Sequence, residues 1–175
     1  LLLGLGRLHK AKAFDSLIKA IEKLPGIYLW IAGEGPERGR LEALIKKLAL
    51  NDRVKLLGWR EDRAALFQAC DVCVFCSRYE PFGTVFVQAW AQGTPVITTS
   101  ADGPRQFVKD GEDALMVIID DIPALSATIR KLAENPELRQ HLIKNGRIRY
   151  HNEFTKAKTV QSYLDYYRQI LSNRQ

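Results

Sequence analysis

Apolar residues in this chain fall into short, nearly continuous runs separated by stretches with helical spacing. The runs occupy residues 1–5, 27–32, 54–57, 72–76, 95–99 and 114–118. Continuous apolar runs of this length read as strands buried on both faces. Between the first two, Phe14, Leu17, Ile18, Ile21 and Leu24 recur at the 3.6-residue period, and Pro25-Gly26 closes that helix. Leu41, Leu44, Ile45 and Leu48 mark a second helix, and residues 64–69 a short third. Further helices are predicted over 123–134, 136–149 and about 155–171, with a short one opening at Pro104. Asp120-Asp121 stands just before Ile122-Pro123 as a helix start. Strand–helix alternation of this kind predicts one α/β unit, a six-stranded parallel sheet covered by helices on both faces. No repeat, low-complexity tract or internal linker interrupts it.

Residues 82–91 resist simple assignment. Thr84-Val85-Phe86-Val87 favours a strand by propensity. Yet parallel strands at 72–76 and 95–99 need a crossover between them, so the segment is predicted as a buried helix from Gly83 to Gln92, ended by Gly93. Such a helix aims its free amides and positive dipole end at the carboxyl edge of the sheet, where ligands bind in open parallel sheets. Gly83 lets a ligand approach the backbone. Gln88 lies one turn below Thr84 on the same face, and Glu80 stands at the mouth. Spacing alone is met equally by a structural reading, in which Glu80 caps the helix and Gln88 makes a private core hydrogen bond.

The composition is that of an ordinary globular protein. Of 175 residues, 46% are hydrophobic and 26% charged. No apolar run is long enough to span a bilayer. The chain opens on Leu1, its one methionine is Met116, and it reads as a piece of a longer protein starting at a strand. The net charge of +6 is spread over Arg38, Arg40, Lys46, Lys47, Arg130, Lys131, Arg147 and Arg149. These alternate with apolar positions as solvated helix faces do, without the aromatic interleaving of a nucleic-acid groove, so no nucleic-acid partner is expected. Cys70, Cys73 and Cys76 imitate part of an iron–sulfur motif. No fourth cysteine exists, and a strand would turn Cys73 and Cys76 to opposite faces, so the three read as reduced core residues and no metal site is expected.

A second glycine-rich strand end, Gly4-Leu5-Gly6-Arg7-Leu8-His9, fails as a dinucleotide fingerprint because His9 stands where the third glycine belongs. It carries Arg7, Lys10 and Lys12 instead, donors suited to phosphate oxygens near a helix start. Alone, this loop is better read as a solvated basic turn.

Taken in order, Gly6-Arg7-Leu8 with Lys12-Ala13, Ile31-Ala32-Gly33-Glu34-Gly35-Pro36, Val54-Lys55-Leu56-Leu57-Gly58, Glu80-Pro81-Phe82-Gly83 and Gln92-Gly93-Thr94-Pro95-Val96 form a recognisable series. The series resembles the carboxyl-terminal, donor-binding half of a GT-B glycosyltransferase of retaining family 4. The resemblance covers essentially the whole chain. It implies a Rossmann-like three-layer sandwich and one nucleotide-sugar-binding domain over residues 1–175, with the acceptor-binding amino-terminal domain missing.

The resemblance also implies roles. Arg7 and Lys12 match the pair that grips the donor diphosphate, and Glu80 the first acid of the E-x7-E motif, which contacts the transferred sugar. Backbone amides of Phe82, Gly83 and Thr84 would face sugar and phosphate. Gly6, Gly33 and Gly35 would border the donor, and Trp59 and Arg60 fall where the nucleobase is held. Gln88 departs from the pattern: it replaces the second acid, which accepts from ribose hydroxyls, and an amide accepts through one oxygen only. The implied activity is retaining transfer of a hexose from a UDP- or GDP-sugar to a glycan or lipid-linked acceptor, by front-face attack and without a required cofactor or metal. Polysaccharide or lipopolysaccharide synthesis in the cytoplasm, with peripheral contact of the full-length enzyme at the inner membrane face, would follow. The competing reading is a non-catalytic nucleotide- or phosphosugar-binding module. A receiver-like signalling domain needs acids at the first strand end, where this chain is basic.

Overall fold

The computed structural model describes residues 1–172. Six strands form the sheet: β1 (Leu2–Leu5), β2 (Leu29–Ala32), β3 (Val54–Gly58), β4 (Val72–Phe75), β5 (Val96–Thr99) and β6 (Leu115–Val117). All pair in parallel, in the order β3-β2-β1-β4-β5-β6. Neighbouring residues enter opposite cores, as the period of two requires. Leu2, Ile31, Val72 and Val74 join one cluster, while Leu3, Ala32, Cys73 and Phe75 join the other.

The first core is closed by α1 (Phe14–Glu22), α2 (Arg38–Lys47) and α6 (Ile122–Glu134), and the second by α3 (Arg63–Ala69) and α4 (Thr84–Gln92). The short α5 (Asp102–Phe107), then α7 (Pro136–Arg149), a π-helical turn (Tyr150–Phe154) and α8 (Lys156–Ser172) complete the described residues. Asp121 caps α6 by accepting from the Ala124 amide at 2.9 Å, as the Asp120-Asp121 step implies. No helix among the described residues is long and apolar enough to cross a membrane.

Several expectations shift. The Pro25-Gly26 stop acts late, because α1 already ends at Glu22. There Arg53 gathers loose carbonyls, donating to Leu24 at 2.6 Å and Ile21 at 3.2 Å. α5 starts at Asp102, not Pro104. A proline costs nothing anywhere in a first turn, whose amides have no intrahelical acceptor. That turn is also docked, Gly103 donating to the Glu80 carbonyl at 2.8 Å. Two elements were not foreseen, the π turn and a 3₁₀ turn at Lys10–Lys12.

Arg147 is exposed, as a solvated helix face requires, but Arg149 is not. The Arg147 guanidinium lies against Gly93 at the carboxyl end of α4, where a cation suits the dipole. Arg149 donates to Asp113 at 3.0 Å and to the Phe107 carbonyl at 2.9 Å, and the Asp113 side chain is buried. Burial pushes the Asp113 carboxyl above its ordinary range, against the pull of the Lys109 amide and Arg149.

Candidate functional site

The strand order reverses between β1 and β4. In an open parallel sheet a crevice forms at that switch, beyond the carboxyl ends of the strands. Here it is a cleft of about 480 Å³.

The β1 side is built by glycine contacts. A β-carbon on Gly33 would lie 1.9 Å from the Gly6 carbonyl oxygen, so only glycine lets these two strand ends meet. Gly6, Arg7 and Gly33 all border the cleft. Gly35 does not: it packs beneath, against the Leu8 backbone. There it helps to seat the basic loop, with Leu8 donating to the Glu34 carbonyl at 2.9 Å.

The 3₁₀ turn brings Lys12 to the same place. His9 accepts from the Ala11 amide at 3.2 Å to start it, and Ala13, left-handed at φ 51°, ends it. Lys12 then reaches across to Glu80 in an ion pair, with side chains 23% and 15% exposed, and its ammonium lies 5.4 Å from the centre of the Phe75 ring. Glu80 is therefore engaged by Lys12, not by the amides of α4. Lys12 lines the cleft, and Glu80 joins it through this pair.

Helix α4 supplies the opposite wall. Gly83 is its N-cap at φ 102°, and a β-carbon there would meet the Phe75 ring at 2.8 Å. The helix therefore begins one residue later than expected. Phe82 turns away, packing on Phe107 at 4.9 Å and Phe86 at 5.8 Å between ring centres. Neither Phe82 nor Gly83 lines the cleft; Thr84, Val85 and Gln88 do. Thr84 and Gln88 thus share one face, as their spacing demands. The buried Gln88 Oε1 accepts no hydrogen bond from any described group. A private core bond to that oxygen is not made, and the residue that carries it lines the cleft.

Beyond β3, Trp59 is 67% exposed at the cleft's edge. The Arg63 guanidinium sits 5.6 Å from its ring centre. Arg60 also borders the cleft, its fork on Asp62 at 2.5 and 2.7 Å. Sequence reasoning missed Glu34, Arg63 and Val85 as lining residues. The signal for Arg63 was present: it follows Trp59 by four positions at a helix start.

The cysteines form no site. Cys73 and Cys76 enter opposite cores. Burial pushes the Cys70 and Cys76 thiols up to about 12 and raises Cys73 as well, which keeps them protonated and inert.

Cations at one end, an open helix amino terminus at the wall and an aromatic shelf at the far edge suit a ligand that joins an anionic group to a planar ring. The model of a family described as "Glycosyl transferases group 1" matches residues 1–149. The chain is 38% identical over 162 residues to the lipopolysaccharide core biosynthesis glycosyltransferase LpsE of Rhizobium meliloti, covering 93% of this chain and 48% of that protein. Against LpsD of the same organism it is 37% identical over 171 residues, covering 98% and 50%. Among solved structures, Anabaena HepE in complex with UDP superposes with a TM-score of 0.91 at 26% identity, covering 96% of this chain and 48% of that one. A sucrose-phosphate synthase from Thermosynechococcus elongatus gives 0.91 at 32% identity, covering 98% and 46%. The chain spans about half the length of the relatives it matches.

Proposed function

The chain belongs to the group 1 glycosyl transferases, and from that premise we propose that it is the donor-binding half of a retaining hexosyltransferase. The observation that carries this reading is the meeting of Arg7, the Lys12–Glu80 pair and the unpartnered Gln88 oxygen around one cleft at the switch point. The donor is a nucleoside diphosphate sugar, UDP- or GDP-linked. The relation to HepE, whose structures hold UDP and UDP-glucose, supports that class.

In this reading Arg7 and Lys12 take the diphosphate, together with the first amides of α4. Glu80, released from Lys12 by the incoming phosphate, accepts from sugar hydroxyls. Gln88 receives a ribose hydroxyl on its free oxygen, and Trp59 offers the base a flat surface. Transfer proceeds on the face the diphosphate leaves. The acceptor oxygen bonds to the anomeric carbon as the carbon–phosphate oxygen bond breaks, and the acceptor proton passes to the departing phosphate. Arg7, Lys12 and the helix amides stabilise the charge that develops there. The acceptor, a glycan or lipid-linked sugar, would be supplied by the other half of the enzyme. The relation to LpsE and LpsD supports a role in lipopolysaccharide core synthesis, which this reading sets in the cytoplasm, at the inner membrane face.

Calorimetry of this chain with UDP, UDP-glucose, GDP and GDP-mannose, beside a transfer assay, tests the reading. Binding of one diphosphate and its sugar conjugate, without transfer, is the expected result. Binding of none of the four would overturn it, and robust transfer by this chain alone would overturn the division between halves.

A further inference from the structure

Arg78 touches no part of the cleft, yet all its guanidinium nitrogens are engaged. Nε donates to Asp120 at 2.7 Å. Nη1 donates to Asp15 at 3.0 Å and to the Lys10 carbonyl at 2.8 Å. Nη2 donates to Asp15 at 3.2 Å and to Ser16 Oγ at 3.0 Å. Ser16 closes the ring by donating to Asp120 at 2.7 Å. The main chain adds two more ties, since the Arg78 and Tyr79 amides both donate to the Ala11 carbonyl, at 2.8 and 3.3 Å.

Two of these acceptors, the carbonyls of Lys10 and Ala11, belong to the 3₁₀ turn that carries Lys12. Arg78 itself stands two residues before Glu80. One side chain therefore fastens the segment bearing the acid to the turn bearing the cation, and anchors both to α1 and to the loop before α6. Fixing this separation matters because Lys12 and Glu80 neutralise each other until a ligand divides them. A turn free to drift would let the lysine follow the acid or leave the cleft.

Resting on the donor-binding reading above, we propose that Arg78 is a positioning residue that sets Lys12 against the donor diphosphate. The planar fork, not the charge alone, performs this task. Arg78→Lys keeps the charge beside Asp15 and Asp120 but cannot reach the Lys10 carbonyl and both carboxylates at once.

The test is a double-mutant cycle by calorimetry, with UDP or GDP, whichever the wild-type chain binds, and the matching nucleoside. Arg78→Lys is expected to weaken diphosphate binding roughly fivefold and nucleoside binding by less than about twofold. In a Lys12→Ala background the same change should cost the diphosphate almost nothing, because the group it positions is gone. Equal losses in both backgrounds, or equal losses for diphosphate and nucleoside, would show that Arg78 only supports the fold. If Arg78→Lys fails to fold, Asp120→Asn, which loosens only the outer anchor, carries the same cycle with the same pattern expected. Failure of the wild-type chain to bind either diphosphate would overturn the donor reading and this inference with it.

Discussion

At the scale of single residues, the Lys12–Glu80 pair makes a sharp distinction between ligands. Glu80→Ala removes the proposed sugar contact and also frees Lys12. The sugar conjugate should bind roughly tenfold more weakly, while the plain diphosphate binds as well or better. Gln88→Ala should weaken both, because its oxygen is assigned to ribose, and Gln88→Glu should be tolerated. Calorimetry with the two ligands checks all three, with melting temperature as the folding control. A Gln88→Ala chain that melts lower yet binds both normally would return Gln88 to a core role. The thiols give an independent check. With Cys70 and Cys76 pushed up to about 12, a thiol reagent at pH 8 should find almost nothing in the folded chain and all three cysteines after denaturation. Much of this level was legible in the sequence, because Thr84 and Gln88 obey a local helical period, and Cys73 and Cys76 a local strand period. Arg149 was not, since its partner Asp113 lies on a different element and nothing in the spacing joins them.

At the scale of elements, the entrance to α4 depends on a backbone that only glycine holds easily. Gly83→Ala places a β-carbon in left-handed backbone and against the Phe75 ring. The left-handed conformation alone costs an L-residue about 1–2 kcal/mol, and the ring contact adds to it. A fall in melting temperature of roughly 4–8 °C is expected, measurable by circular dichroism. The Arg78 cluster predicts a pH effect. Burial pushes the Asp15 carboxyl up, but Arg78 and Arg40 outweigh it and hold it below its ordinary range. The Arg78 hydrogen bond does the same for Asp120, against burial. Both are lowered relative to the unfolded chain, so their stabilisation is present above the ordinary value of 3.8 and fades as pH falls through the folded values. Asp113, raised by burial, works in the opposite sense. The comparison must therefore be with a variant. Between pH 6 and pH 3 the urea midpoint of the wild type should fall further than that of Asp15→Asn/Asp120→Asn.

At the scale of the whole molecule, alternation alone gave the layers and six parallel strands. It could not give the π turn, which exists because of distant aromatic rings. Phe154 on that turn packs on Trp90 at 5.9 Å and Phe82 at 6.2 Å between ring centres, joining the root of α8 to the loop beside Glu80. Phe154→Ala should cost roughly 2–3 kcal/mol in denaturant titration, a value between a surface change and a full core truncation. The sheet order carries one more consequence, for the route by which the chain reaches this structure. β1 lies at the centre, and Leu2 must find both Leu29 and Val72. The second partner is far along the chain, so a wide loop must close before that pairing returns any energy. Refolding from denaturant should accordingly be slow for a protein of this size, in the range of milliseconds to seconds. Until β4 arrives, the inner edge of β1 is open to other strands, and the half-folded chain is most vulnerable to aggregation in that interval.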